Sequence, residues 1–366
     1  MGDGPGPAVD LRAAKESNRH RMSFALRCLN SVLLLATFVL PAAGLFGADE
    51  GPYHFITAIP APDNGGWDYL IVDARAHRLY ASHATEVVVI DTQSNAVVGT
   101  IPDTPGIHGI ALAPKLNRAF TSNGRENKVG IVALDSLKTL AKVDAGTNPD
   151  CIVYDSRENE VYAFNGRSRS ATVIGAETGQ VVATLPLPGK PEFAVVDPRA
   201  DRIYDNLEDK SQVAVIDPSS HHVVALWPIA PGESASGMAL DREHHRLFLG
   251  CDNQLMVMMD STTGKVVATA PIDEGVDANA YDPATGYAFA SNSVGTITVA
   301  HEDSPERLTV IQTIKTARGC HTMALDPSTH RIYVPAAEFQ PVPPDAPPHT
   351  RPKVVPGTFK ILVFGL

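Results

Sequence analysis

A short pattern recurs seven times along the chain, at intervals of 40 to 44 residues. In six copies an aromatic residue follows an Asp by seven positions, and in the remaining copy Ala113 replaces the Asp. The aromatic residues are Tyr80, Phe120, Tyr162, Tyr204, Phe248, Phe289 and Tyr333. A unit of this length cannot bury its apolar face alone, so neighbouring units must stack on one another. The chain is therefore expected to fold as an array of repeats.

Each repeat predicts four short β-strands. An apolar run such as Leu70–Val72 comes first, and a turn and the aromatic strand follow. Two further strands, such as Val87–Ile90 and Val97–Ile101, complete the unit. The runs alternate with period two and are separated by turn residues, and none shows a helical period. Four strands in a repeat of this length predict an all-β fold, a seven-bladed β-propeller with four antiparallel strands per blade.

The two ends of the chain predict how the ring closes. The last repeat lacks a fourth strand after Phe359–Phe364, whereas a spare strand, Tyr53–Ile59, precedes the first repeat. We expect the N-terminal strand to complete the last blade, because closure removes the sheet edges that invite aggregation. The predicted propeller domain is residues 52–366, with a Pro-rich loop insertion at residues 340–352 between the second and third strands of the last blade.

Several segments resemble a known repeat family. Arg78–Ser82, Val213–Asp217 and Thr263–Thr269 carry the likeness, and His108–Pro114 and Pro191–Pro198 match its blade-entry pattern. These units resemble the YVTN β-propeller repeat family, and the whole is similar to YncE-like secreted bacterial propellers. The resemblance covers residues 52–366 and implies the seven-bladed ring. It says little about function, because propellers host many unrelated activities.

The N-terminal segment predicts export. Arg19, Arg21 and Arg27 precede the apolar run Ser31–Leu40, and the small-residue exit Pro41–Gly44 follows it. This order is typical of a secretory signal peptide, here residues 1–44, with translation starting at Met1 or at Met22. An uncleaved anchor and a buried core helix are the alternatives, but the run is short for a membrane span. We therefore expect a periplasmic or secreted protein without a transmembrane segment in its mature form.

Charge argues against nucleic acid as a partner. The net charge is −11, and residues 45–366 carry 25 basic and 38 acidic residues, a balance of −13. A chain this acidic lacks the basic surface that holds phosphates, so no nucleic-acid partner is expected. Hydrophobic residues at 44% and charged residues at 19% are ordinary for a chain with a real core.

The cysteines and the common catalytic motifs add little. Cys28 would be lost with the leader, which leaves Cys151, Cys251 and Cys320 without any CxxC pair. Neither a disulfide framework nor a structural zinc site is expected from them. Cys251 is a weak candidate nucleophile, and an inert buried thiol is the simpler interpretation. The chain contains no HExxH, GxSxG, Walker or dinucleotide-binding motif.

One position gives a candidate site. Five residues before the Asp of each repeat, every side chain is polar, and by analogy with other propellers this position opens the first strand beside the central entrance. The residues are Asp68, His108, Asp150, Glu192, Ser236, Asp277 and His321. Solvated strand ends or acids that bind turn N–H groups would explain the polarity. Convergent polar groups around one axis would instead be a ligand-binding ring.

The same ring suggests a metal, although no cofactor is certain. Asp68, His108 and His321 come from blades that become neighbours on closure, and together they could hold a divalent metal ion. A hard ion would prefer the carboxylates Asp150, Glu192 and Asp277. Clustered carboxylates also raise one another's pKa, which would let one of them act as an acid or a base.

A second polar layer is predicted three residues after each aromatic residue. It contains His83, Asn123, Asn165, Cys251 and Asn292. Ligand contact is one interpretation, and turn residues that tolerate a left-handed backbone are the other. The Pro-rich insertion belongs to the same face, where it either flanks the mouth or is a solvated loop without a role.

Two functions remain open at this point. The first is an exported binding protein or scaffold that recognises a small molecule, a peptide or an envelope protein at the entrance face. The alternative is a metal-dependent lactonase-like or hydrolase-like propeller enzyme that uses the polar ring, by analogy with other seven-bladed propellers. A dehydrogenase-like propeller and a purely structural envelope role are lesser variants.

Overall fold

The computed structural model describes Met1 and residues 51–62, 65–343, 347, 350 and 352–366. The predicted leader at residues 1–44 lies outside the described residues, apart from Met1. Within the described part, no helix has the length and apolar character that a membrane crossing requires.

The described chain is built almost entirely of strands. They are β1 His54–Pro60, β2 Trp67–Asp73, β3 Arg78–His83, β4 Glu86–Asp91, β5 Ala96–Ile101, β6 Ile107–Ala113, β7 Arg118–Asn123, β8 Lys128–Ala133, β9 Thr139–Asp144, β10 Pro149–Asp155, β11 Glu160–Asn165, β12 Ser170–Gly175, β13 Val181–Pro186, β14 Pro191–Asp197, β15 Arg202–Leu207, β16 Gln212–Asp217, β17 His222–Pro228, β18 Ala235–Asp241, β19 Arg246–Cys251, β20 Leu255–Asp260, β21 Val266–Pro271, β22 Val276–Asp282, β23 Tyr287–Asn292, β24 Thr296–Ser304, β25 Arg307–Lys315, β26 Ala324–Asp326, β27 Arg331–Ala336 and β28 Lys360–Gly365. Two short 3₁₀ turns, Pro114–Leu116 and Glu208–Lys210, are the helical segments among the described residues.

The strands of the described residues form seven separate four-stranded sheets, each antiparallel. Blades 1 to 6 are β2–β5, β6–β9, β10–β13, β14–β17, β18–β21 and β22–β25, and blade 7 contains β26, β27, β28 and β1. This is the seven-bladed β-propeller that the repeat predicted. The prediction of fold class is confirmed.

The N-terminal strand closes the ring as expected. β1 pairs antiparallel with β28, from His54 opposite Gly365 to Pro60 opposite Lys360. Just before β1, the Tyr53 backbone N–H donates to Gln312 Oε1 at 3.0 Å, and Gln312 Nε2 donates to the Tyr53 carbonyl at 2.8 Å. These bonds attach the incoming chain to blade 6, so the closing strand is held on both sides.

The core lies between blades. The seven repeat aromatics are all buried, and each packs in a cluster that draws on two adjacent blades. Phe120 of blade 2, for example, packs with Ile152 and Val161 of blade 3. Because each sheet covers its neighbour, the apolar surface of one repeat is removed from water only when the ring is complete.

The repeated Asp makes the turn between the first two strands of a blade. Asp73 Oδ1 accepts the backbone N–H groups of Arg75 and Ala76 at 3.1 and 3.0 Å. Such a side-chain bond stabilises a tight turn. In blade 2 Ala113 cannot do this, and the 3₁₀ turn Pro114–Leu116 replaces the bond. The turns end each first strand on the face opposite to the strand's start, which fixes the polar ring on the other face.

Candidate functional site

The first strand of a blade bulges at the polar ring. In blades 1 to 6 the pairing of the first two strands shifts register, for instance between Trp67 and Leu70 and between Pro191 and Ala194. A bulge bends a strand and redirects its side chains. The ring position and the position after it fall at this bulge, so both can face the axis.

Serines of the second strands fasten these bulges. Ser82 Oγ accepts the Asp68 backbone N–H at 3.0 Å, and Ser122 Oγ accepts that of Gly109 at 2.8 Å. Ser291 Oγ donates to the His321 carbonyl at 2.5 Å, which ties blade 6 to blade 7. These bonds hold the backbone that carries the ring side chains, and the sequence signal for them is the Ser near the end of the second strand.

All seven residues of the predicted ring line one cavity. Its volume is about 1920 Å³. The ring residues on its wall are Asp68, His108, Asp150, Glu192, Ser236, Asp277 and His321. Residues from seven different blades, up to 253 positions apart, therefore share one opening, as the closed ring requires.

Two aromatic side chains from different blades meet next to this cavity, and one of them, Tyr69, lines it. The rings of Tyr69, from blade 1, and Phe193, from blade 4, are 5.1 Å apart with a T-shaped arrangement. Both occupy the position after the polar ring, which the sequence analysis did not single out because it is not polar. The signal that could have identified them is size, because Gly and Ala occupy the same position in blades 2, 5 and 6.

The cavity carries more acid than the ring alone supplies. Glu208, Asp252 and the exposed Glu338 also line it, so seven carboxylates share the space. Lys190 Nζ lies 2.8 Å from Glu192 Oε2 and forms a second ion pair with Glu208. Arg318 and Lys353 are exposed lining residues. Five of the acids are partly buried, whereas Asp252 and Glu338 are exposed. Because the acids outnumber the basic lining residues, the field inside the cavity is negative.

Burial and mutual repulsion change the acidity of these groups. Burial, and after it the charges of Asp68, Glu192 and the other cavity acids, hold the pKa of Asp277 well above its usual range. Burial, opposed by His108 and reinforced by Asp68 and Glu192, raises the pKa of Asp150 to about 8. Asp150 and Asp277 are therefore costly to ionise.

His108 lies in the middle of this acid cluster. Its Nδ1 is 2.6 Å from Asp68 Oδ2 and 3.5 Å from Asp150 Oδ1. Burial acts to lower the pKa of His108, but the hydrogen bond to Asp68 and the surrounding carboxylates outweigh burial and raise it to about 9. The imidazolium form is thus favoured, and His108 compensates part of the negative charge.

The structure groups Asp68 and His108 with Asp150 and not with His321, which the sequence had suggested as the third metal ligand. Asp68, His108 and Asp150 place one potential ligand atom each within 4.8 Å of one another. His321 is not in this group, because its Nδ1 is 2.7 Å from the Gly319 carbonyl and its Nε2 is 3.7 Å from Asp277 Oδ2. Ring closure places blade 2, with His108, and blade 7, with His321, on either side of blade 1. The imidazole of His321 nevertheless lies towards Asp277 of blade 6.

The predicted second layer does not reach the cavity. His83, Asn123 and Asn165 are fully buried inside their blades. Asn165 Nδ2, for example, donates to Ser170 Oγ at 3.2 Å and to Thr172 Oγ1 at 3.1 Å in its own sheet. Cys251 and Asn292, at the same repeat position, are buried as well, and their side chains do not line the cavity.

The next position along the chain provides the cavity wall instead. Four residues after the aromatic residue, Glu208, Asp252, Ser293 and Ala337 line the cavity. Neighbouring side chains of a strand point in opposite directions, so a shift of one residue exchanges an interior position for a wall position.

Aromatic and Pro-rich segments form the outer wall. Phe339 lies 5.9 Å from Trp67 between ring centroids, and its backbone bridges Val354. The Gln340 N–H donates to the Lys353 carbonyl at 2.7 Å, so the two ends of the insertion at residues 340–352 run side by side. Its described residues that line the cavity are Gln340, Pro341, Val342, Thr350 and Pro352.

Comparison with solved structures shows the same fold. Hydrazine synthase of Kuenenia stuttgartiensis is similar over 81% of this chain and 95% of that chain, with 14% identity and a TM-score of 0.66. U3-55K is similar over 86% and 100%, with 11% identity and a TM-score of 0.72. The WD40 repeats of RRP9 are similar over 86% and 99%, with 10% identity and a TM-score of 0.72. At these identities the likeness concerns the fold alone.

No family model matches the chain, and no curated protein matches it.

Proposed function

We propose that this chain is an exported binding protein that takes a positively charged organic ligand into the cavity on the axis of its propeller. The observation that carries the proposal is the concentration of seven carboxylates around one cavity that Tyr69 and Trp67 also line. Repeat segments of the YVTN type and the predicted leader at residues 1–44 support the exported, YncE-like character.

Charge argues for a cation. Burial, partly offset by Lys190, raises the pKa of Glu192, and burial and neighbouring acids raise those of Asp150 and Asp277. A bound ammonium or guanidinium group would let these carboxylates ionise in pairs with it. Ion pairs with the ligand would relieve the repulsion between the cavity carboxylates, and this relief would add to the favourable binding free energy.

The shape of the cavity argues for an extended ligand. Small-molecule sites usually have volumes of about 300–1,000 Å³, and this cavity is larger. The acidic side chains are distributed around the wall, so a ligand with several separated positive charges can contact more than one of them. The aromatic residues Tyr69 and Trp67 also line the cavity, and a cation that reaches a ring face of either one would gain further attraction. A polyamine or a Lys- or Arg-rich peptide segment has these properties.

The test is a calorimetric titration of the full chain with spermidine. We expect saturable binding that weakens by at least about tenfold in the variants Asp150→Asn and Asp277→Asn, since each removes one buried charge partner. The matched control is Asp144→Asn, because Asp144 is an exposed acid outside the cavity that pairs with Lys128. Absence of spermidine binding, or equal weakening in the control, would contradict the proposal.

One observation favours a second candidate, the metal-dependent lactonase-like or hydrolase-like enzyme. It is the group of Asp68, His108 and Asp150, whose ligand atoms could share a divalent ion. Zn²⁺ as a second probe in the same titration decides between the two. Zinc that binds in the cavity and is lost in His108→Gln, together with hydrolysis of a simple lactone, would favour the enzyme.

A further inference from the structure

A second group of titratable side chains lies on the opposite face of the ring, between blades 5 and 6. Asp241 ends β18 and His244 follows it in the turn to β19, whereas Tyr281 and Glu302 belong to β22 and β24 of the next blade. No part of this group lines the central cavity. It is therefore separate from the site of the proposed function.

The distances in this group suit ligands of one ion. His244 Nδ1 is 2.7 Å from Asp241 Oδ2 and 3.6 Å from Glu302 Oε1. Atoms bound tetrahedrally at about 2.0–2.2 Å from an ion lie about 3.3–3.6 Å apart. The His244–Glu302 distance matches this separation, and the shorter Asp241–His244 hydrogen bond would have to open by less than about 1 Å. Tyr281 donates its hydroxyl proton to Glu302 Oε2 at 2.7 Å, which fixes the carboxylate and leaves the other oxygen directed at the histidine.

Burial makes the ionised forms of the two carboxylates in this group unfavourable unless a positive charge lies beside them. The side chains of Asp241 and Glu302 are each 2% exposed, and among the described residues Glu302 Oε1 has no hydrogen-bond partner. Burial and the nearby Asp241, opposed by Tyr281 and His244, raise the pKa of Glu302. A buried carboxylate oxygen without a donor is unusual, because such a group loses its hydration without compensation.

The repeat shows that this group is an addition to the common blade design. In blade 6 the repeat aromatic Phe289 pairs with Val299, and Glu302 follows Val299 by three residues. No other blade has a charged side chain at the corresponding position. The residues there are Thr92, Leu134, Ala176, Pro218, Ser261 and Leu366. At the position of His244, three residues after the repeat Asp, no other blade has a histidine. Two departures from the repeat thus meet at one interface.

Ordinary Asp–His and Glu–His pairs on the same face provide a comparison. His330 Nδ1 lies 2.6 Å from Asp282 Oδ2, and His221 Nε2 lies 2.8 Å from Glu160 Oε2. Each of those histidines has a single acid among the ion pairs of the described residues. A neutral or protonated imidazole can satisfy one carboxylate, whereas the second buried acid beside His244 has to be neutralised by a proton or by a bound cation.

We propose that Asp241, His244 and Glu302 bind a divalent transition-metal ion of the zinc class, which links blades 5 and 6. Asp241 Oδ2, His244 Nδ1 and Glu302 Oε1 are the ligand atoms. Tyr281 is a positioning residue that orients Glu302 through its hydroxyl, as outer hydrogen bonds commonly do for metal-bound carboxylates. The His244 side chain is 47% exposed, so an ion can enter from solvent and water can complete the coordination.

The test is equilibrium dialysis of the chelator-treated full chain against Zn²⁺, with bound zinc counted by elemental analysis. We expect one zinc equivalent to be lost, or its affinity to fall by at least about 100-fold, in Glu302→Gln and in His244→Ala. The matched control is His330→Gln, which alters an Asp–His pair on the same face and should keep the full zinc content. His108→Gln removes any zinc held in the central cavity, so the two sites are counted separately.

Folding is checked in the same samples. Zinc should raise the melting temperature of the parent protein and of His330→Gln, but not that of Glu302→Gln. Without zinc, Glu302→Gln should melt no lower than the parent, because it removes a buried charge. A parent protein that binds no zinc outside the central cavity, or variants that retain the parent's zinc, would overturn the proposal.

Discussion

Asp205 shows how much a single residue can depart from its repeat. It lies in β15 with no exposed surface, and among the described residues neither carboxyl oxygen has a hydrogen-bond partner. Ala81, Ala163 and Ala290 occupy the same position in other blades. Burial, with a smaller contribution from Glu192, raises the pKa of Asp205 well above its usual range. At a pH between the unfolded-state and folded-state pKa values, the folded protein therefore holds a proton there that the unfolded chain releases.

Replacement of this acid should stabilise the protein in a pH-dependent way. Stability tied to a raised carboxyl pKa is fully present below the unfolded-state pKa, about 4, and is lost as the pH rises towards the folded-state value. We expect Asp205→Ala to increase the free energy of unfolding by about 1–2 kcal/mol at pH 8, and by less at pH 4. Urea denaturation at the two pH values measures the difference. A loss of stability at pH 8 would show that the carboxylate has a favourable partner.

Within one β-strand element, a shift of one position changes what a side chain does. The hairpin of β11 and β12 shows this at Asn165, which bonds Ser170 and Thr172 inside its own sheet. The sequence marked Asn165 as polar and near a strand end, and both facts are correct. Its direction follows from the pairing register, which a single sequence does not display.

The hairpin bonds of Asn165 predict a structural rather than a binding phenotype. Asn165→Ala should lower the free energy of unfolding by about 1–3 kcal/mol, because it leaves two buried hydroxyl groups without their donor. Spermidine affinity should stay at the parent value, since Asn165 does not line the cavity. Calorimetry and urea denaturation together check this, and a variant with parent stability and weakened binding would reverse the assignment.

The polar ring was predictable because it needs only the repeat and its closure. Asp68 and His321 are far apart in sequence, yet a ring of seven similar units must bring their positions together. The bulge, the Tyr69–Phe193 contact and the participation of Glu208 depend on local backbone geometry. Such geometry depends on packing between blades, which single-sequence patterns do not specify.

For the whole molecule, the attachment of the first strand determines whether the ring stays closed. Tyr53 is 1% exposed, and its ring lies 5.2 Å from that of Phe289, beside the two hydrogen bonds to Gln312. These contacts join residues 259 positions apart in sequence. Their formation is therefore tied to closure of the entire ring.

Loss of this attachment should destabilise the protein as a unit. Tyr53→Ala should cost about 3–5 kcal/mol of unfolding free energy, as for other large buried aromatic residues. Phe55→Ala, two residues further along in β1, is the matched control and should cost much less, because Phe55 is 40% exposed. Thermal denaturation followed by circular dichroism measures both. Equal losses in the two variants would mean that the general weakening of β1, and not the anchor, is responsible.

The contact of Tyr69 with Phe193 bears on how a ligand would reach the central cavity. Because these rings come from blades 1 and 4, their contact takes up space at the centre of the propeller. A ligand would enter and leave the cavity past the Pro-rich insertion at residues 340–352, several of whose described residues line it. A ligand longer than the cavity would extend into solvent on that face of the ring.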